Sequence, residues 1–148
     1  MKLKQVLNKE VVTTDLKSTG KREVIEELLD ILMKTGKVSD RSAALKDLLE
    51  REDKMSTGIQ HGVAIPHAKT KAVKELVACI GTHREGIDFE ALDGEASSIF
   101  VMTLSPEDRT GPHVQFLAEI SMVLKSPAVR SAIKQVTDPE ELLELFGA

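Results

Sequence analysis

Apolar residues recur along this chain in two rhythms, and the alternation between them predicts its elements. Val24, Ile25, Leu28, Leu29 and Leu32 repeat at the spacing of a helix that buries one stripe. Ser18 or Thr19 stands where such a helix is capped, and Gly36 stands where it stops. Asp40 introduces a second helix with Ala44, Leu45, Leu48 and Leu49 inward, and Arg51 and Glu52 fall at its exit. Residues 63–65, 76–80 and 99–104 are short, continuous apolar runs, the pattern of strands covered on both faces. Val6, Leu7, Val11 and Val12 predict a short edge strand or turn, and Asp93 followed by Gly94 predicts a tight turn.

Beyond the polar loop at 105–111, Pro112 occupies the expected first position of a helix with Val114, Leu117, Ala118 and Ser121 on one face. That helix is expected to end near Lys125. Ser126 and Pro127 start a short helix, and Asp138, with Glu141 three residues on, caps the last. No repeat, low-complexity tract or linker interrupts the series. Helices alternating with apolar strands predict a layered α/β or α+β domain.

Composition narrows the function. At 148 residues, 41% hydrophobic and 30% charged, the chain reads as one globular domain over residues 1–148. Twenty Lys and Arg against 24 Asp and Glu leave a net charge of −4, with no Trp or Tyr and four Phe. A nucleic-acid surface, which needs cations and stacking rings, is therefore not expected. No apolar run approaches the roughly 20 residues of a membrane span. Asn8, Lys9 and Glu10 interrupt what would be a signal-peptide core. The one cysteine, Cys79, lies among apolar neighbours and reads as a buried, inert thiol. A cytoplasmic protein is the expectation. Phosphate-loop and dinucleotide-loop spacings are missing, as are the serine-elbow and zinc-helix patterns, and the four histidines are dispersed. Neither a cofactor nor a metal is expected.

The chemistry concentrates at residues 58–68, Gly-Ile-Gln-His-Gly-Val-Ala-Ile-Pro-His-Ala. Gly58 and Gly62 allow tight turns and a close backbone approach to a ligand. Pro66 fixes its own φ and lacks a donor, so the strand is expected to end there and His67 to leave it in a defined direction. A neutral imidazole so placed can act as a nucleophile. It is equally readable as an ordinary histidine at a strand end. Arg51 offers a planar fork for a phosphoryl group, or is a solvated charge at a helix end. His113 stands where free N–H groups and the helix dipole favour an anion and depress an imidazole's pKa, or is simply a helix-start residue in water. His61 reads as a rim residue, and His83, before Arg84-Glu85-Gly86, as a solvated turn residue. Lys69, Lys71 and Lys74 form a charged solvent face or steer an acidic partner.

Arg51-Glu52, Ser56-Thr57-Gly58-Ile59 and Gly62-Val63-Ala64-Ile65-Pro66-His67 together resemble the active-site signature of one family. It is the mannitol/fructose-type enzyme IIA domain of the bacterial phosphoenolpyruvate-dependent phosphotransferase system, including its nitrogen-regulatory branch. The resemblance implies an α/β fold, a small mixed, mostly parallel β-sheet flanked by α-helices on both faces. It implies a phosphohistidine carrier in which His67 takes a phosphoryl group from the phosphocarrier protein HPr, or its nitrogen-branch counterpart. His67 would pass the group to a IIB domain for fructose- or mannitol-type sugar uptake. In the regulatory alternative, phosphorylation controls binding to target proteins. Arg51 and His113 match the family's further active-site residues, with Thr57 and Ser56 as phosphate-binding support. Ala68 departs from the family's usual glycine, so the turn after His67 is expected to differ in detail.

Overall fold

The computed structural model describes residues 3–147. Two 3-10 turns lead into β1 (Val12–Thr13), α1 (Lys21–Met33) and α2 (Arg41–Lys54). Four strands follow: β2 (Val63–Ala64), β3 (His67–Lys69), β4 (Val77–Ile87) and β5 (Ser97–Ser105). The chain closes with α3 (Thr110–Leu124), α4 (Pro127–Gln135) and α5 (Pro139–Leu145). The sheet runs β1-β4-β5, with β2 and β3 both lying along the far side of β5. β1–β4, β2–β5 and β3–β5 are parallel, while the long β4–β5 pair is antiparallel, so the sheet is mixed and mostly parallel.

Side-chain alternation assigns the faces. Cys79 pairs with Met102, and its Sγ lies 3.5 Å from the Leu28 carbonyl oxygen, so both point toward α1. Complete burial pushes the Cys79 thiol far above its ordinary pKa and leaves it inert. Ser105, three residues beyond Met102, points the opposite way and meets His113 of α3. Helices therefore cover both faces. The α1 stripe of Val24, Ile25, Leu28, Leu29 and Leu32 is buried as its periodicity predicts. It overlies a core in which the Phe89 and Phe100 rings meet edge to face, centroids 5.4 Å apart.

Caps followed the sequence at three of the four predicted sites. Asp40, Ser126 and Asp138 each accept a backbone N–H in the first turn of α2, α4 and α5. At α1 the N-cap is Gly20, whereas Ser18 donates its hydroxyl to Glu27. Glu27 also accepts the Lys17 and Ser18 amides, so a carboxylate from inside the helix organises its entrance. These bonds hold the Glu27 carboxyl below its ordinary pKa against the opposing effect of burial.

Two expectations are corrected. α3 begins at Thr110, placing Pro112 third, and it buries His113, Phe116, Ile120 and Leu124. Val114, Ala118 and Ser121 face solvent and Leu117 is half-buried. Both stripes have helical spacing, and packing on β5 selects the one carrying the phenylalanine and the imidazole. His83 is no solvated turn residue. β4 continues through it to Ile87, burying it to 8% exposure, and its Nε2–H donates to the Ser18 carbonyl at 2.8 Å.

Phe100 has no exposed surface. Phe100→Ala is expected to cost about 3–5 kcal/mol, as large-to-small changes at well-packed rings do. Urea unfolding measures this, and a loss below about 1 kcal/mol would contradict the core described above.

Candidate functional site

β2 and β3 keep one register against β5: Val63 pairs with Ile99 and His67 with Thr103. They form one edge strand interrupted at Ile65 and Pro66. Ile65, like Val63, points its backbone groups away from β5, and its N–H donates to the Thr57 carbonyl. Pro66 faces β5 but has no N–H to give, and the ladder resumes when the Thr103 N–H donates to the Pro66 carbonyl. An edge is where a sheet tolerates proline. The expected strand end at Pro66 is thus a brief break, and His67 lies on the strand that continues. Ala68 is a strand residue with φ outside the left-handed region, so its departure from glycine introduces no strain there.

The Ile65 carbonyl, left outside the β5 ladder, meets His67, whose Nδ1 lies 2.7 Å from its oxygen. A carbonyl only accepts, so Nδ1 carries the proton and Nε2 keeps its lone pair. His67 shares a sheet face with Thr103, hence with Ser105 and α3. The His67 and His113 rings lie 5.4 Å apart between centroids, inclined at 49°. Among the described residues neither Nε2 atom has a hydrogen-bond partner, and neither is sealed from solvent.

Arg51, in the last turn of α2, donates from Nη1 to the Met55 carbonyl at 2.9 Å. Its charge and burial both lower the His67 pKa, burial being the larger cause, while the Ile65 bond and Glu52 oppose them. His113, 6% exposed, is pushed down to about 4, chiefly by burial and then by His67 and Lys69. Both rings therefore favour the neutral form near pH 7. No side chain caps the first turn of α3, beside His113.

Ser56 and Thr57 lie in the loop as expected, yet both hydroxyls and the Thr57 amide are engaged. The Thr57 amide and hydroxyl both donate to Glu52, each at 2.6 Å, and the Ser56 hydroxyl donates to the Phe89 carbonyl. They brace the loop, and neither hydroxyl has a proton left for an anion. Gly58 does permit a close approach, but to protein: a Cβ there would lie 3.0 Å from Ala91 Cα. Gly62 takes a φ of +77°, which glycine alone adopts cheaply. His61 is exposed on the rim, its amide donating to Asp93.

Three contributors have roles that the sequence reading did not assign. Glu52 is buried and paired with Lys21 Nζ at 3.1 Å, so it anchors the loop to α1. Lys69 Nζ donates to Thr110 Oγ1 at 2.8 Å and bridges β3 to α3. Ser105, assigned to a polar loop, ends β5 with its hydroxyl against His113. Adjacency to the signature flagged Glu52 and Lys69, while nothing local flagged Ser105. Lys71 and Lys74 are exposed. Among the described residues no group of three or more His, Cys, Asp or Glu is placed to hold a metal, and no helix is long and apolar enough to cross a membrane.

Residues 5–148 match the model of the family described as "Phosphoenolpyruvate-dependent sugar phosphotransferase system, EIIA 2". A fructose-specific EIIA component from Haloferax volcanii is 35% identical over 138 residues, covering 93% of this chain and 90% of that protein. A fructose-specific EIIABC component from Bacillus subtilis is 32% identical over 99% of this chain, which spans 23% of that longer protein. The crystal structure of nitrogen regulatory protein IIA-Ntr from Neisseria meningitidis superposes with a TM-score of 0.89 at 27% identity, covering 97% of this chain and 98% of that one. The fold also matches enzyme IIA mannitol in its complex with phosphorylated enzyme IIB from Escherichia coli, with a TM-score of 0.83 at 20% identity and 95% and 96% coverage.

The depressed His113 pKa makes stability depend on pH. An unfolded histidine protonates as pH falls through about 6.5, whereas the folded ring resists to about 4. The unfolded chain binds more protons in that window, so stability falls as pH drops through it and gains nothing from this group above it. His113→Gln is expected to reduce the loss in urea midpoint between about pH 7 and about pH 4.5. An unchanged acid slope would contradict the environment assigned to the ring.

Proposed function

The chain belongs to the phosphoenolpyruvate-dependent sugar phosphotransferase system EIIA 2 family, and from that premise we propose that it is a phosphohistidine carrier working through His67. What carries this reading is the bond from His67 Nδ1–H to the Ile65 carbonyl, which leaves the Nε2 lone pair free beside His113. The donor is phosphorylated HPr or its nitrogen-branch counterpart. His67 Nε2 attacks phosphorus in line, and a new P–N bond forms as the donor's P–N bond breaks, its electron pair returning to the donor imidazole. No proton has to leave His67. Its Nδ1–H stays on the Ile65 carbonyl, which stabilises the positive charge the ring acquires. Arg51 supplies a cation for the phosphoryl oxygens, and His113 with the α3 N-terminus supplies donors.

The acceptor is a IIB domain of fructose or mannitol type. Exposed apolar side chains near the site suit transient docking: Val114 (57% exposed), next to His113 on α3, and Met55, whose carbonyl accepts from Arg51. Likeness to the Neisseria IIA-Ntr structure favours a second reading, in which the phosphorylation state of the same histidine controls binding to regulatory targets.

With phosphoenolpyruvate, enzyme I and HPr, the chain is expected to gain one acid-labile phosphoryl group and His67→Ala none. Arg51→Ala should slow the gain by about 100-fold, the scale for removing one charge-stabilising donor. His113→Ala should accept phosphate but pass it on poorly. Radiolabel incorporation and chase into a IIB domain measure these effects. Incorporation into His67→Ala would overturn the assignment, and a phosphorylated chain that never discharges to IIB would favour the regulatory reading.

A further inference from the structure

We propose that Ser105 is a positioning residue that fixes neutral His113 as its Nε2–H tautomer, so that this ring presents a donor to the phosphoryl group on His67. The inference rests on the carrier reading above and concerns an atom that reading leaves open: which His113 nitrogen holds the proton.

Ser105 is fully buried at the end of β5, and its Oγ lies 2.8 Å from His113 Nδ1. The hydroxyl has one proton and, among the described residues, no other hydrogen-bond partner. Were Nδ1 protonated, Oγ would accept and its own O–H would be a buried donor without an acceptor, a situation folded interiors avoid. The reverse arrangement leaves only lone pairs unused. Ser105 therefore donates, Nδ1 accepts, and the single proton of the neutral ring resides on Nε2. Burial keeps the ring neutral near pH 7, which is why the position of that one proton matters.

Two different partners thus set opposite tautomers on facing rings. A carbonyl oxygen, which cannot donate, holds the proton of His67 on Nδ1 and frees Nε2 as the nucleophile. A hydroxyl, which can donate, moves the proton of His113 to Nε2. One ring offers a lone pair and the other an N–H across 5.4 Å between centroids. The pair is thereby complementary to an N-bound phosphoryl group, whose equatorial oxygens need donors. Without the hydroxyl, His113 populates both tautomers, and the Nδ1–H form turns a lone pair toward the anion.

Long-range 1H–15N spectra of the histidine-labelled, unphosphorylated chain report the protonated nitrogen of each ring. The expected result near pH 7 is Nδ1–H for His67 and Nε2–H for His113. Ser105→Ala should give a mixture at His113 and slow phosphoryl transfer through His67 about 10-fold, with one phosphoryl group still bound. This falls short of the 10²–10³ loss for a wholly absent donor, because part of the population keeps the correct tautomer. Ser105→Thr, which keeps the hydroxyl, should restore both tautomer and rate. An Nδ1–H tautomer of His113 in the unaltered chain would overturn the proposal even if no Ser105 variant folds. An unaltered spectrum in folded Ser105→Ala, or an altered spectrum with an unaltered rate, would also overturn it. The tautomer is read without phosphate, so a chain that takes up no phosphoryl group would defeat the carrier reading while the spectrum still decides the hydrogen bond.

Discussion

One hydrogen bond organises the site: the His67 Nδ1–H to the carbonyl of Ile65, two residues earlier. That carbonyl belongs to a residue whose backbone groups point away from β5, on the open side of the edge strand, so the ladder makes no claim on it. Pro66, which faces β5 but has no N–H, leaves one break in the ladder. On the outer side Thr57 takes the Ile65 N–H and the Ile65 carbonyl accepts from the imidazole. Because the edge strand resumes in the same register, the break perturbs neither β5 nor the layer beneath it. A carbonyl outside the ladder thus becomes a fixed tautomer, with the lone pair of the other ring nitrogen left free.

The surroundings keep that geometry rigid. The Thr57 carbonyl that receives the Ile65 N–H is held by Glu52, which accepts the amide and hydroxyl of the same residue and pairs with Lys21 of α1. A buried carboxylate is tolerated because two short donor bonds and an ammonium compensate its lost hydration. Loop, α2 and α1 are therefore one mechanical unit under the site. On the opposite face of the sheet, Ser105 and Lys69 tie β5 and β3 to the start of α3, holding His113 against His67.

The sequence exposed those parts whose physics is local. Periodicity gave the α1 stripe, and short polar side chains before helical runs gave the caps at Asp40, Ser126 and Asp138. The 58–68 segment was legible because glycine and proline constrain their own backbone, and its resemblance to a family singled out His67 with Arg51 and His113. Errors arose where spacing was degenerate. Two stripes of α3 satisfy the same period, and His83 beside Arg84-Glu85-Gly86 reads as turn or strand until β4 pairs with β5 on either side of it, at Thr82 and Ile87.

What the chain alone determined is most of the elements and, through the signature at 51–67, the family and a candidate nucleophile, because each depends on neighbours within a few residues. Tertiary structure decided which donors face an anion. Ser56 and Thr57 were plausible from position, yet Phe89 and Glu52 take their hydroxyl protons. Ser105 looked like a loop residue, yet strand alternation turns it toward α3 and onto His113. A hydroxyl's role is set by whichever acceptor lies within about 3 Å, and such contacts between distant parts of the chain exist only once the sheet has brought them together.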